Sequence, residues 1–230
     1  SFAPYVDYGT ASLSALSTVA AIFHRYKTGE GQMIEGALLK TALTMMNSPL
    51  IEQHHRQLDR NSTLNRSPLS GPSDTFKTTD GWIMCMAIGR PQFQRWCELT
   101  GGEAFLDDPR FADDLGRGDN GHVLSEHMAK WCATRSTEEA LAQLDAAKLP
   151  GGPIYSLQET LDDPHVNAIG FFKPLHYPGA DQPSPISDFP ATLSATPGTV
   201  RSPAPTLGQH TDEILGELGY AAADIAAMRD

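Results

Sequence analysis

Between Gln57 and Ser73 the apolar periodicity of the chain disappears, and this break limits the fold more than any other feature. Polar, Pro and Gly residues replace the regular apolar spacing there, which is typical of a linker. We therefore predict a large domain over residues 1–60, a linker over 61–73 and a smaller domain over 74–150. Residues 151–230 are predicted to return to the large domain and to end in helices that pack on it.

The first predicted domain alternates helix and strand signals. Apolar residues recur at a spacing near 3.6 residues between positions 10 and 26, which predicts a helix. It ends at 27–31, because a basic residue followed by glycines suits a helix C-terminus. A short strand is predicted over 32–37 and a long helix over 38–55. This order of elements is typical of an α/β domain.

The second predicted domain begins with a β-hairpin. Asp80-Gly81 is a favoured turn sequence, and it separates strand-like runs at 73–79 and 82–88. The second run is apolar on both faces, which predicts a well-buried strand. Together with the helices predicted next, the hairpin indicates a small α+β domain.

Helices are predicted through most of the remaining sequence. Three follow the hairpin, over 92–100, 122–132 and 137–147. The Ser-x-x-Glu spacing of a capping box occurs at Ser136 and Glu139, and again at Ser156 and Glu159. The proline-rich stretch 171–205 contains short strand-like pieces, and helices over 211–218 and 221–228 close the chain.

Charge and metal-ligand spacing exclude two classes of function. The chain has 17 Lys and Arg against 28 Asp and Glu, a formal net charge of -11. Because no cluster of Lys and Arg opposes that field, we predict no nucleic-acid partner. The adjacent His54 and His55 lack metal-ligand spacing, so no metal site is predicted.

Cysteine usage and hydropathy bear on the compartment. Cys85, Cys97 and Cys132 are odd in number and lack metal-ligand spacing, so we predict buried thiols in a reducing compartment. No apolar run approaches the roughly 20 residues of a membrane helix, and no signal-peptide pattern is present. The sequence therefore predicts a cytoplasmic or organelle-matrix protein without a membrane partner.

Three stretches of the sequence form a set when taken in order. The first is VDYGT at 6–10, followed by a helix of small residues and by HRYKTGEGQ at 24–32. The second is GPIYS at 152–156 with DDPHV at 162–166, and the third is LGQHTDEIL at 207–215. Together they resemble the CoA-transferases of family III, typified by formyl-CoA transferase. The resemblance implies a partial Rossmann-like large domain, whose N-terminal half would be missing from this sequence, plus a smaller α+β domain.

The same resemblance implies that Asp7 is the catalytic carboxylate. It would attack an acyl-CoA thioester and form an aspartyl anhydride, then an aspartyl-CoA thioester. Gly9 would allow close approach of substrate and Thr10 could donate a hydrogen bond, although both also suit an ordinary turn and cap. Ser70 and Gly71 occupy the place of the family's active-site glycine loop; a plain linker turn is the alternative, since only one glycine occurs there.

The resemblance also implies substrates and an assembly. We expect a CoA thioester and a small carboxylic acid as substrates, no permanently bound cofactor, and an intertwined homodimer. A chain lacking half of that ring is expected to expose apolar surface and to be inactive alone. One alternative is an α-methylacyl-CoA racemase, in which the aspartate moves a proton. Another is an inactive fragment that acts only as an assembly module.

Overall fold

The computed structural model describes residues 3–229, and the chain divides into two compact units. The first comprises residues 1–64 and the second residues 65–230. The border falls inside the stretch 57–73, where the apolar periodicity is lost. The structure mixes helices with small antiparallel sheets, while the Rossmann-like organisation of the large domain stays a prediction.

The described part of the first unit consists of three helices, α1 Tyr5–Thr28, α2 Leu38–Met45 and α3 Asn47–Arg56. Helix α1 ends at Gly29, which adopts a left-handed conformation with φ of 80°. The predicted strand at 32–37 is wrong, because a strand needs a hydrogen-bonded neighbour and the described residues of this unit contain no strand.

The single long helix predicted over 38–55 is also wrong. The helix breaks at Met46 into α2 and α3, and Pro49 lies in the first turn of α3. Proline has no backbone N–H, and its ring collides with the carbonyl four residues earlier. Continuing α2 through Pro49 would therefore break its hydrogen-bond ladder, whereas the first turn of a new helix tolerates proline.

The second unit begins with the predicted hairpin. Strands β1 Ser73–Lys77 and β2 Trp82–Met86 pair antiparallel, with Ser73 opposite Met86, and β3 Gly151–Pro153 pairs with β2. The predicted burial of both faces of β2 is wrong. Ile83 and Cys85 are buried, whereas Trp82 and Met84 remain 47% and 43% exposed, because helices cover one face of the sheet only.

The helices that follow form the core of the second unit. The three predicted ones are confirmed as α4 Gly89–Thr100, α6 Gly121–Cys132 and α7 Thr137–Ala146, with two 3₁₀ turns, Glu103–Leu106 and Pro109–Phe111, between α4 and α6. The core cluster comprises Phe76, Ile83, Cys85, Ala87, Phe93, Trp96, Cys97, Phe111, Leu124, Met128, Trp131, Cys132, Ala140, Leu144 and Leu149. Apolar burial of this kind is the main source of stability.

Helix α5 Asp114–Asp119 was not predicted. It contains Gly116 and Gly118, and glycine disfavours helices. Asp113 caps it by accepting a hydrogen bond from the Gly116 N–H at 2.8 Å. A side-chain cap and an ion pair within the helix, described below, stabilise a turn that glycine content alone would leave unformed.

After β3 the elements are short and lie near the surface. They are α8 Leu157–Asp162, α9 Pro164–Ala168, β4 Phe172–Leu175, β5 Ser184–Ser187, α10 Thr211–Glu217 and α11 Ala222–Ala227. Both predicted capping boxes are confirmed, with Ser136 accepting from Glu139 N and Ser156 from Glu159 N. Of the described residues after 150, Ile225 alone is buried.

Candidate functional site

Asp7 lies in the first turn of α1, so the helix begins before this residue and not after it as the motif suggested. Pro4 occupies the cap position and makes no side-chain cap hydrogen bond. The first N–H groups of a helix carry a partial positive charge, which favours an anionic group. Asp7 is exposed, so α1 presents an accessible carboxylate at its positive end.

Gly9 and Thr10 serve the packing of α1 against α2. A Cβ added at Gly9 would come within 2.6 Å of the Met45 methyl carbon Cε, so a side chain there would displace Met45. The Thr10 hydroxyl lies 2.8 Å from the Val6 carbonyl and 2.8 Å from Thr41 Oγ1. Both predicted substrate-contacting residues therefore have structural partners within the first unit, next to Asp7.

A groove lined by both hydroxyl and apolar side chains runs along α1 beyond Asp7. Its volume is about 150 Å³. The lining residues are Thr10, Leu13, Ser14, Ser17, Ile34, Glu35, Gly36, Ala37, Lys40, Thr41 and Thr44. Sequence reasoning missed this groove. Only one wall of the groove had a signal in the sequence: Thr10, Ser14 and Ser17 follow Asp7 at intervals of three, seven and ten residues, which places all four on one face of a helix.

Ser70 and Gly71 lie in the second unit, in a well-packed turn before β1. Ser70 is 5% exposed, and a Cβ at Gly71 would come within 2.7 Å of the Arg117 carbonyl oxygen. The carbonyl of the next residue, Pro72, accepts a hydrogen bond from the Ala87 N–H. The turn is thus fixed from two sides, and Leu69 before it is exposed.

Arg117, in α5, is a buried charged residue that lies next to this turn. Its side chain is 1% exposed; it donates to Asp114 Oδ1 at 2.6 Å and to the Phe111 carbonyl at 2.9 Å. Asp114 also accepts from the Gly89 N–H at 2.9 Å. Partial burial opposes ionisation of Asp114, but the hydrogen bonds from Arg117 and Gly89 outweigh it and lower its pKa.

The three thiols are free and buried, as predicted. Burial raises the pKa of Cys85 and of Cys97 to about 12 and that of Cys132 to about 11. A thiol needs a lowered pKa to act as a nucleophile near neutral pH. These cysteines therefore contribute to packing, and nucleophilic chemistry has to come from another group.

Within residues 3–229 no group of three or more His, Cys, Asp or Glu side chains is arranged to hold a metal ion. His54 and His55 end α3, with their rings in edge contact at 4.9 Å. In the same described part, no helix combines the length and apolar character needed to cross a bilayer.

A second groove, of about 490 Å³, lies along β2 and β3 in the second unit. Its walls are mainly apolar and include Met84, Met86, Pro153 and Ile154. It opens on the sheet face that carries Met84 and Trp82, which are 43% and 47% exposed.

Comparison with known proteins gives consistent results. Residues 1–211 match the sequence profile of CoA-transferase family III. Succinyl-CoA--D-citramalate CoA-transferase of Chloroflexus aurantiacus is 31% identical over 225 residues, which cover 97% of this chain and 56% of the relative. Succinyl-CoA:mesaconate CoA-transferase of Haloarcula hispanica is 27% identical over 93% of this chain and 53% of the relative.

Solved structures show the same fold. Rv3272 of Mycobacterium tuberculosis superposes with a TM-score of 0.71 at 22% identity, over 91% of this chain and 55% of that one. A CAIB/BAIF family protein of Brucella suis gives 0.72 at 23% identity, over 95% and 56%. The chain spans about half the length of the curated relatives it matches.

Proposed function

The chain belongs to CoA-transferase family III, and from this premise we propose that it carries the nucleophilic aspartate of an acyl-CoA:carboxylate CoA-transferase. Asp7 is the proposed nucleophile. The observation that supports this role is an exposed carboxylate in the first turn of a 24-residue helix, inside the motif by which the chain resembles the family. An aspartate carboxylate is one of the side-chain groups that can form a covalent acyl intermediate.

The proposed reaction proceeds by four acyl transfers. An Asp7 oxygen attacks the donor thioester carbonyl, and the C–S bond breaks to release CoA thiolate and leave a mixed anhydride. The thiolate attacks the Asp7 carbonyl, which expels the donor carboxylate and forms an aspartyl-CoA thioester. The acceptor carboxylate then displaces the thiolate. Attack of the thiolate on the acceptor carbonyl releases the new acyl-CoA and restores Asp7.

The names of the relatives suggest the substrates. They pair succinyl-CoA with D-citramalate, mesaconate and L-malate, which are all dicarboxylic acids. We therefore assign a dicarboxylic acid as the acceptor and succinyl-CoA as the donor. The segment at 69–73 has a single glycine, in contrast to the glycine run expected in formyl-CoA transferases, which argues against formyl-CoA as the donor.

Covalent trapping tests the role of Asp7. The protein, as isolated from cells, is incubated with succinyl-CoA and quenched with hydroxylamine or borohydride, and the modified peptide is identified by mass spectrometry. We expect modification at Asp7 and none in Asp7→Ala. Asp224→Ala is the matched control, because Asp224 is also an exposed aspartate in the first turn of a helix. Unmodified Asp7 under turnover, with α-proton exchange instead, would favour the racemase alternative.

Two further expectations concern the 230-residue chain on its own. It is expected to turn over acyl-CoA slowly, since the relatives are nearly twice its length, and fast turnover would contradict this. It is also expected to self-associate through the exposed apolar side chains of α1, among them Leu16, Val19 and Phe23. A monodisperse monomer in light scattering would contradict the proposed dimer.

A further inference from the structure

The groove beside α1 contains one hydroxyl group that differs from its neighbours. The hydroxyls of Thr10, Ser12, Ser17 and Thr18 each lie 2.8–2.9 Å from the carbonyl four residues earlier, a common way for Ser and Thr to satisfy themselves in a helix. The Ser14 hydroxyl makes no hydrogen bond with any described residue. Ser14 therefore has a donor and two lone pairs available to a ligand.

The opposite wall of the groove comes very close to Ser14. A Cβ added at Gly36 would overlap Ser14 Oγ, so a side chain at position 36 would push the hydroxyl out of its present position in the groove.

Lys40 supplies the cation of the groove. Its Nζ lies 3.1 Å from Glu35 Oε1, and the two side chains are 70% and 71% exposed. Exposed ion pairs of this kind contribute about 0–1 kcal/mol, so a ligand carboxylate can replace Glu35 at little cost. In the absence of a ligand, Glu35 is therefore the anion that pairs with Lys40.

The distance from Asp7 fits a dicarboxylic acyl group. Ser14 lies seven residues after Asp7 on the same helix face, about 10 Å along the axis. A four-carbon dicarboxylic acid joined to Asp7 as an anhydride, together with the aspartate side chain, spans roughly the same length by standard bond lengths. Helical side chains point toward the N-terminus, so the Asp7 carboxylate and the Ser14 hydroxyl are displaced in the same direction and keep this separation.

We propose that this groove binds the distal carboxylate of a dicarboxylic acid, with Ser14 Oγ and Lys40 Nζ as hydrogen-bond donors. The inference rests on the proposed function, in which Asp7 carries the proximal carboxyl. It makes Ser14, Gly36 and Lys40 the residues that select dicarboxylic over monocarboxylic acids, and it gives Glu35 the role of a competing internal anion.

Equilibrium binding to the chain tests the proposal without any chemistry. Succinate and glutarate are titrated against butyrate by NMR, following the backbone amides of Ser14, Gly36 and Lys40. We expect saturable shifts with the dicarboxylates only. Lys40→Gln should weaken binding about threefold, as expected for an ion pair formed by so exposed a lysine. Ser14→Ala should weaken it about threefold, and Gly36→Ala should also weaken it, because the added methyl group displaces the Ser14 hydroxyl.

Matched controls and one gain-of-binding variant sharpen the result. Lys27→Gln and Ser12→Ala change a lysine and a serine outside the groove and should leave binding unchanged. Glu35→Gln removes the competing anion and should tighten it. Butyrate binding equal to succinate, no saturable shift with any dicarboxylate, or wild-type affinity in Lys40→Gln would each overturn the proposal.

The outcome is separable from that of the trapping experiment. Asp7→Ala should retain dicarboxylate binding, because the groove donors are intact. If dicarboxylates bind at Ser14 but no adduct forms at Asp7, the groove is still a dicarboxylate site but Asp7 is not the transferase nucleophile. If Asp7 is modified but Lys40→Gln binds succinate normally, only the groove assignment fails.

Discussion

Residues 70–149 and the segments on either side of them differ sharply in how they are stabilised. Outside 70–149, the buried residues of the described chain are Ala21, Thr41 and Ile225. Inside, two strands and four helices enclose a continuous apolar cluster, and the buried Arg117 pairs there with the partly exposed Asp114. The chain therefore separates a region with its own core from a region that carries the proposed nucleophile.

This difference means that the apolar core and the proposed nucleophile lie in different parts of the chain. The exposed apolar residues of α1 lie on the same helix as Asp7, so a surface that covers them would also exclude water from the proposed site. Mixed anhydrides hydrolyse readily, and such exclusion would protect the intermediate. The region 70–149 needs no such cover, since its own helices bury its core.

The largest expected difference in stability is between truncating a buried aromatic residue in the region 70–149 and truncating an exposed one in α1. Trp96 is fully buried and stacks on Phe93 at 5.7 Å between ring centroids. Trp96→Ala should lower the free energy of unfolding by about 3–5 kcal/mol. Phe23 is 58% exposed in the single chain, and at concentrations where the chain is monomeric Phe23→Ala should cost under about 1 kcal/mol. Urea denaturation measures both, and an equal loss for Phe23→Ala would show that α1 is covered in solution.

A smaller loss is expected from Arg117. Arg117→Met removes the ion pair with Asp114 and the hydrogen bond to the Phe111 carbonyl, but leaves an unbranched apolar side chain beside the Phe93 ring, which lies 4.7 Å from the Arg117 guanidinium carbon. We expect a loss of about 2 kcal/mol, less than for a fully buried pair, because Asp114 is 39% exposed and can be hydrated. Asp114→Asn keeps the shape and should cost less. Unchanged stability in Arg117→Met would show that the ion pair does not stabilise this region.

The buried thiols predict a pH dependence confined to the core region. Their folded pKa values are raised to about 11–12, against about 8.5 in an unfolded chain. Each therefore stabilises the fold below pH 8.5, and that contribution is lost as pH rises toward 11–12. Denaturation at pH 7, 9 and 10 measures it. Cys85→Ala and Cys97→Ala should flatten the profile; an unchanged profile in both would contradict this origin.

The smallest expected effect comes from removing a helix cap, and it should differ between the region 70–149 and the segment after it. Ser136 caps α7, which contributes buried Ala140 and Leu144, whereas Ser156 caps α8, which has no buried residue. Each Ser→Ala change removes a cap worth about 1 kcal/mol. Ser136→Ala should lower global stability, while Ser156→Ala should increase only local amide exchange in α8. A global loss from Ser156→Ala would show that α8 is coupled to the core.

Much of the local structure was predictable from residues close together in the sequence. The hairpin at Asp80-Gly81, the caps at Ser136 and Ser156, and the helices α4, α6 and α7 all follow from short-range spacing. The predictions that failed involve distant residues at least in part. The strand at 32–37 needed a partner, and α5 is stabilised by the contact of Asp114 with Gly89, 25 residues away, in addition to its local cap and ion pair.

The candidate site divides in the same way. The sequence alone supplied Asp7 and its motif, because a nucleophile and its flanking turn are contiguous. It did not supply the groove, since the free hydroxyl of Ser14 becomes visible only when the hydrogen bonds of its neighbours and the approach of Gly36 are known.

What the sequence determined by itself is therefore the set of periodic elements, their caps and the family motif, which depend on hydrogen bonds within a few residues. The tertiary structure alone decided which face of β2 is buried, that Ser70 and Gly71 lie packed against Arg117, and that Lys40 and Ser14 share a groove. Burial and these contacts depend on groups that are far apart in the sequence, so they cannot be predicted from the spacing of neighbouring residues.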